Sequence, residues 1–215
     1  MLELFEKGGI MMYPLVLTSI TALAVAIERL ISLRRKKILI PQIITVLEQI
    51  NKTEDFGLAR SVCSKFSGPL PHIVDACIEN RDLPIDELRL TIEDEGRQQV
   101  RSLRRGLPIL ETVAGIAPLL GLLGTVLGMI EVFSIIESLG VGQAKALSGG
   151  ISEALITTAT GLIIGIPALI IFNYFSSRSD SLILDIEKYS LMLLNKIIRI
   201  HAHGEAPLEE FKLRP

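Results

Sequence analysis

Residues 112–130 read TVAGIAPLLGLLGTVLGMI, nineteen positions without a charged side chain. A helix that crosses a bilayer needs about 20 predominantly apolar residues, so this stretch is a candidate span. It stays apolar to Ile136 once Glu131 is accommodated. Two further runs qualify. Ile10 to Ile27 is uncharged until Glu28 and Arg29, and Ala154 to Phe175 reads ALITTATGLIIGIPALIIFNYF, with Asn173 as its one strongly polar member. Each run holds a proline, Pro14, Pro118 or Pro167. Membrane helices tolerate proline as a kink, because neighbouring groups satisfy the freed carbonyl. A buried soluble helix accounts for one such run but poorly for three in 215 residues, 49% of them hydrophobic, with mean hydropathy +0.47. The expected fold is an all-α membrane protein with three transmembrane helices, at about 10–30, 108–137 and 151–175.

The first run differs from a secretory signal, which has a basic start and a shorter apolar core. Its start, LELFEKGG, sets Glu3 and Glu6 against Lys7, and the basic residues follow the run. Lysine and arginine in short flanks mark the cytoplasmic side. Arg29, Arg34, Arg35, Lys36 and Lys37 follow the first span; Arg97, Arg101, Arg104 and Arg105 precede the second; Arg178, Lys188, Lys196 and Arg199 follow the third. The 137–152 connection holds only Lys145. All three basic groups fall on one side of a three-span chain. The N-terminus and the 137–152 loop are therefore expected outside, in the periplasm of an inner-membrane protein. Residues 31–107, 176–203 and the C-terminus are expected in the cytoplasm.

The cytoplasmic parts read as helical and as one unit with the spans over 1–215. Ile43, Ile44, Leu47 and Ile50 share a helical face. Gly68-Pro69 and Pro71 separate that stretch from the next, and Pro84 suits a helix's first turn. Apolar residues then recur at Ile85, Leu88, Ile92, Val100, Leu103, Leu107 and Leu110, running into span two. Leu182, Ile186, Tyr189, Leu193, Ile197 and Ile200 prolong span three in the same way, until Gly204 and Pro207. The spacing predicts two helices longer than the membrane is thick, the first bent at Pro108 or Pro118; separate short helices give the same periodicity.

Net charge is −2, which gives no footprint for nucleic acid. Cys63 and Cys77 form no CxxC pair, and His201 with His203 lacks a third ligand, so no metal or other cofactor is called for. No nucleophile–base pair or phosphate loop points to an enzyme. What stands out is a stripe of small residues. Pro118, Gly121, Thr125 and Gly128 recur by three and four in span two, and Ala154, Thr158, Gly161, Gly165 and Ala168 in span three. Such stripes let helices pack closely; they also suit the lining of a narrow passage. Thr125 is six residues before Glu131, and Thr158 five after Glu153, in helices of opposite direction. Both hydroxyls lie about 8–9 Å inside the outer ends at about 1.5 Å per residue, near carboxylates at the mouth. A proton relay normally needs an ionisable group at depth, and none lies mid-span here.

GGIMMYPL with AIERL around span one, ETVAGIAPLLGLLGTVLGMIEVF and GISEALITTATGLIIGIPALIIFNYF together resemble the MotA/TolQ/ExbB proton-channel family, and its three-span ExbB/TolQ branch in particular. The resemblance implies a homo-oligomer, a pentamer with a central pore lined by spans two and three. That pore would enclose an ExbD/TolR-like single-span subunit whose membrane aspartate carries the proton, which answers the missing charge. Carried over by motif, Thr125 and Thr158 line the pore with Gly121, Gly128, Ala154, Gly161 and Gly165. Glu153 stands at its mouth, and Glu131, which has no counterpart in the family pattern, beside it. The implied function is the stator of a proton-driven motor that energises a periplasmic or outer-membrane process, through a TonB/TolA-like transducer. The reading from another class is a structural membrane scaffold whose small stripes only pack helices.

Overall fold

The computed structural model describes residues 8–140 and 144–204, and within them no strand occurs. The helices are α1 (Met12–Ser32), α2 (Arg35–Ile38), α3 (Pro41–Gln49), α4 (Asp55–Cys63), α5 (Pro69–Glu79), α6 (Ile85–Arg104), α7 (Leu107–Leu139) and α8 (Ala144–Gly204). The acidic start of the chain falls outside the described residues. Among the described residues, three helices are long and apolar enough to cross a membrane: Met12–Ser32, Leu107–Ser138 and a window within Leu147–His201.

Contacts divide the chain into two units. The first joins Met1–Ser32 to Arg104–Ser177, and the second joins Leu33–Leu103 to Arg178–Pro215. In the first, α1 packs on α7 and the first half of α8 around Met12, Leu15, Val113, Ala117 and Ala168. The outer faces stay apolar: Leu17, Leu23, Leu119, Phe133, Ile163 and Ile170 are each more than 60% exposed. Water penalises apolar faces of that extent, whereas lipid or a neighbouring chain accepts them.

In the second unit, α3, α4 and α5 pack in sequence, each a short amphipathic helix. Pro41 and Pro69 occupy first turns, where a missing N–H costs nothing. Ile43, Leu47, Phe56, Leu70, Ile73 and Leu88 are buried with Leu182, Leu193 and Ile197 of α8. The expected α8 seam is present at Leu182, Ile186, Leu193 and Ile197, all buried. The α6 seam is only partly covered: Ile85 is exposed, while Ile92 and Val100 line a groove of about 600 Å³ with Ile183 and Leu191.

Two expectations change. The helix anticipated from residue 84 into span two is two helices, and the break is at Arg105-Gly106, not at a proline. Gly106 has φ +80°, which a residue with a side chain adopts only with strain, and a Cβ there would press on Val25 at 3.3 Å. By contrast α7 runs unbroken through Pro118, and α8 through Pro167. Pro14 stands in the first turn of α1, with no earlier turn to bend. The 137–152 connection is also mostly helical. α7 reaches Leu139 and α8 starts at Ala144, so Glu153 lies within the third turn of α8 and not at its start. α8 is continuous over 61 residues, about 90 Å at 1.5 Å per residue.

Candidate functional site

The small-residue stripes of α7 and α8 meet each other within one chain. A Cβ on Gly121 would lie 2.9 Å from the Thr157 carbonyl oxygen and 3.0 Å from Thr158 Cα. One on Gly161 would lie 2.5 Å from the Ala117 carbonyl oxygen and 3.0 Å from Gly121 Cα. Gly128 faces the Gly150 carbonyl and Ala154 at 2.9 and 3.0 Å, and Gly165 faces the Pro118 ring at 2.7 Å. These neighbours are mostly backbone or ring, which cannot swing aside as a flexible side chain does. Only glycine lets the two backbones approach so closely. Gly121, Gly128, Ala154, Gly161 and Gly165 are all buried in this contact.

The two threonines singled out by spacing differ in their bonding. Thr158 Oγ1 donates to the Gly121 carbonyl at 3.0 Å, across the helix pair. Thr125 Oγ1 donates to the Leu122 carbonyl of its own helix at 2.6 Å. Both residues are partly buried. In each case the hydroxyl proton is committed to a carbonyl and the oxygen's remaining lone pairs are left to accept.

Spacing did not single out Thr157, which is 1% exposed. Its hydroxyl donates back to the Ala154 carbonyl at 2.9 Å, and its side chain fills the slot over Gly124, where a Cβ would sit 2.5 Å from Thr157 Cβ. A signal was available: Gly150, Ala154, Thr157 and Gly161 also follow steps of four, three and four. Adjacent threonines thus do different work, Thr157 filling space and Thr158 bridging helices.

The two carboxylates diverge. Glu131 is exposed on α7. Glu153 is partly buried and turned toward the turn before α1, its carboxylate against Gly9. Between residues 112 and 130 of α7, and between 154 and 177 of α8, no ionisable side chain other than Tyr174 occurs.

Cys63 and Cys77, outside the spans, are buried in the second unit. Burial and the negative charge of Asp75 push the Cys63 thiol up to about 11, and burial pushes Cys77 up to about 12. His201 Nδ1 donates to the Ile197 carbonyl at 3.0 Å, and Nε2 approaches Asp82 at 3.9 Å; the His203 side chain lies outside the described residues.

Three apolar helices with lipid-compatible faces, two of them locked by glycines around a charge-free hydroxyl bridge, define a multi-pass membrane protein, and no catalytic constellation occurs among the described residues. The chain belongs to the MotA/TolQ/ExbB proton channel family, whose model matches residues 67–188, from α5 through most of α8. That places it among channel and transport proteins rather than enzymes. It is 37% identical to an ExbB-like biopolymer transport protein of Synechocystis sp. over 182 residues, covering 82% of this chain and 71% of that one. It is 30% identical to an ExbB homologue of Methanothermobacter thermautotrophicus, over 89% of this chain and 67% of that protein. The Tol-Pal system protein TolQ of Haemophilus influenzae is 34% identical over 51% of this chain and 48% of its own length.

Proposed function

We propose that this chain is the channel-forming stator subunit of a proton-driven motor in a bacterial inner membrane. It works as a homo-oligomer, a pentamer, around an ExbD/TolR-like single-span partner, and a TonB/TolA-like transducer carries the resulting force to the periplasm or outer membrane. The N-terminus faces the periplasm and the C-terminus the cytoplasm. The observation that carries this reading is the Thr158–Gly121 bridge in a helix pair that has no charge at that depth. A fixed charge there would trap an ion rather than pass it. Thr125 and Thr158 already donate their protons to carbonyls, so toward the pore they act as acceptors. An acceptor pair suits a protonated carboxyl, which must donate, better than an ionised one. The hydroxyls therefore favour passage of the partner's membrane aspartate in its neutral, proton-loaded form. The close-packed Gly121, Gly128, Ala154, Gly161 and Gly165 hold the lining in register, and Glu131 and Glu153 stand at the outer end.

The scaffold reading has its own support, since every glycine of the stripes has a packing partner inside the chain. Thr125→Val and Thr158→Val separate the two. Each keeps the shape and removes the hydroxyl. Under the motor reading, energy-dependent function falls at least tenfold while complex yield with the partner is kept. Wild-type function in both variants would sink the pore assignment.

A further inference from the structure

Gly9, just before α1, meets two independent constraints. Its φ is +60°, in the left-handed region that residues with a Cβ avoid. Its Cβ position is also occupied: a Cβ there would overlap Glu153 Oε1 and lie 2.5 Å from Cδ and 3.3 Å from Oε2. The carboxylate thus points one oxygen, Oε1, at the Gly9 backbone, with Oε2 set behind it. Gly8 is also enclosed, with Met12 Cγ at 2.5 Å and Ile156 Cγ2 at 3.3 Å from a Cβ built on it. The Gly9 carbonyl accepts the Met12 N–H at 3.2 Å, which ties this seat to the first turn of α1.

We infer that Gly9 is a positioning residue for Glu153: the glycine turn is a seat that holds the Glu153 carboxylate on the α1 side of α8. Five residues at 3.6 per turn put Glu153 about 140° around the helix from Thr158. The seat therefore keeps the nearest carboxylate of α8 turned away from the hydroxyl bridge and docks the start of the first span on the third. The seat stands whatever passes along the helix pair; its consequence for ion flow rests on the channel reading above.

The test is a mutant cycle on the purified full chain, read as the apparent melting midpoint in detergent. Asparagine tolerates φ near +60°, so Gly9→Asn isolates the loss of space. It should lower the midpoint by about 2–4 °C or more, the shift that about 1 kcal/mol produces in a chain of this size. In a Glu153→Ala background most of that fall should vanish. Glu153→Asp, a shorter carboxylate, should restore part of the midpoint to the Gly9→Asn chain, whereas Glu153→Gln, of equal length, should not. If Gly9→Asn alone fails to accumulate, recovered accumulation with Glu153→Ala gives the same answer. An unchanged midpoint in Gly9→Asn, or equal falls in every background, would overturn the inference. None of these readouts depends on ion flow, so full function in the threonine variants would leave the seat standing.

Discussion

Single side chains in the second unit carry measurable consequences. The Asp55 carboxylate accepts the backbone N–H groups of Asn51 and Lys52 at 2.8 and 2.9 Å, and these two bonds hold its pKa below the usual aspartate value. Lys196 holds the other side of the same corner, donating to the Glu48 and Ile50 carbonyls at the end of α3. A depressed carboxylate pKa contributes stability that is present above the unfolded-state value and lost as pH falls through the folded one. Asp55→Asn should therefore speed amide exchange at Asn51 and Lys52 at neutral pH, and the difference from wild type should close as pH drops below the ordinary aspartate range. The buried thiols give a second prediction. With pKa values near 11 and 12, Cys63 and Cys77 hold almost no thiolate at pH 7.5, and the thiolate is the nucleophile. Iodoacetamide should leave both unmodified in the folded chain and alkylate both in denaturant, as counted by intact mass.

The contact between α7 and α8 rests on glycine rather than on apolar area. At Gly161 an added methyl would meet the Ala117 carbonyl at 2.5 Å, while at Gly115 nothing lies within 4 Å. Gly161→Ala should lower the detergent melting midpoint through overpacking, which costs about 1–3 kcal/mol. Gly115→Ala should leave it unchanged or raise it, since alanine is the better helix former by about 1 kcal/mol. Equal shifts at the two sites would mean that helix propensity, and not backbone approach, governs this pair. A bulkier change such as Gly161→Leu splits the pair within the chain before it touches any contact between copies.

At the scale of the whole chain, what the sequence revealed depended on how strictly the surroundings constrain each residue. Lipid excludes charge, so TVAGIAPLLGLLGTVLGMI and ALITTATGLIIGIPALIIFNYF announce themselves as spans, and the α8 seam continues visibly to Ile197. The small stripes were equally legible, because backbone approach leaves no room for a Cβ. The break at Gly106 was not, since its left-handed φ leaves no mark that distinguishes it from the helical glycines at 115 or 121. Nor was the seat at Gly9, which depends on a residue 144 positions away in sequence. Thr157 escaped notice because hydroxyl spacing alone does not distinguish a space-filler from a bridge.

Orientation is carried by the charge pattern of the entire chain, and the buried thiols make it testable. Three basic groups, around Arg29–Lys37, Arg97–Arg105 and Arg178–Arg199, alternate with apolar spans so that all fall on one side, while residues 137–152 carry Lys145 as their one basic side chain. Basic flanks resist translocation, and the proposed orientation accordingly puts these groups in the cytoplasm. Cys63 and Cys77, being buried, should give a low background to a membrane-impermeant maleimide. Single cysteines can then be introduced at exposed positions of each kind: Gly140→Cys in the connection, Lys37→Cys after the first span and Lys188→Cys on α8. Intact cells with a permeable outer membrane should show labelling of Gly140→Cys alone. The other two should label only after the inner membrane is opened. Labelling of Lys37→Cys in intact cells would invert the topology, and with it put Glu131 and Glu153 at the cytoplasmic end of the helix pair.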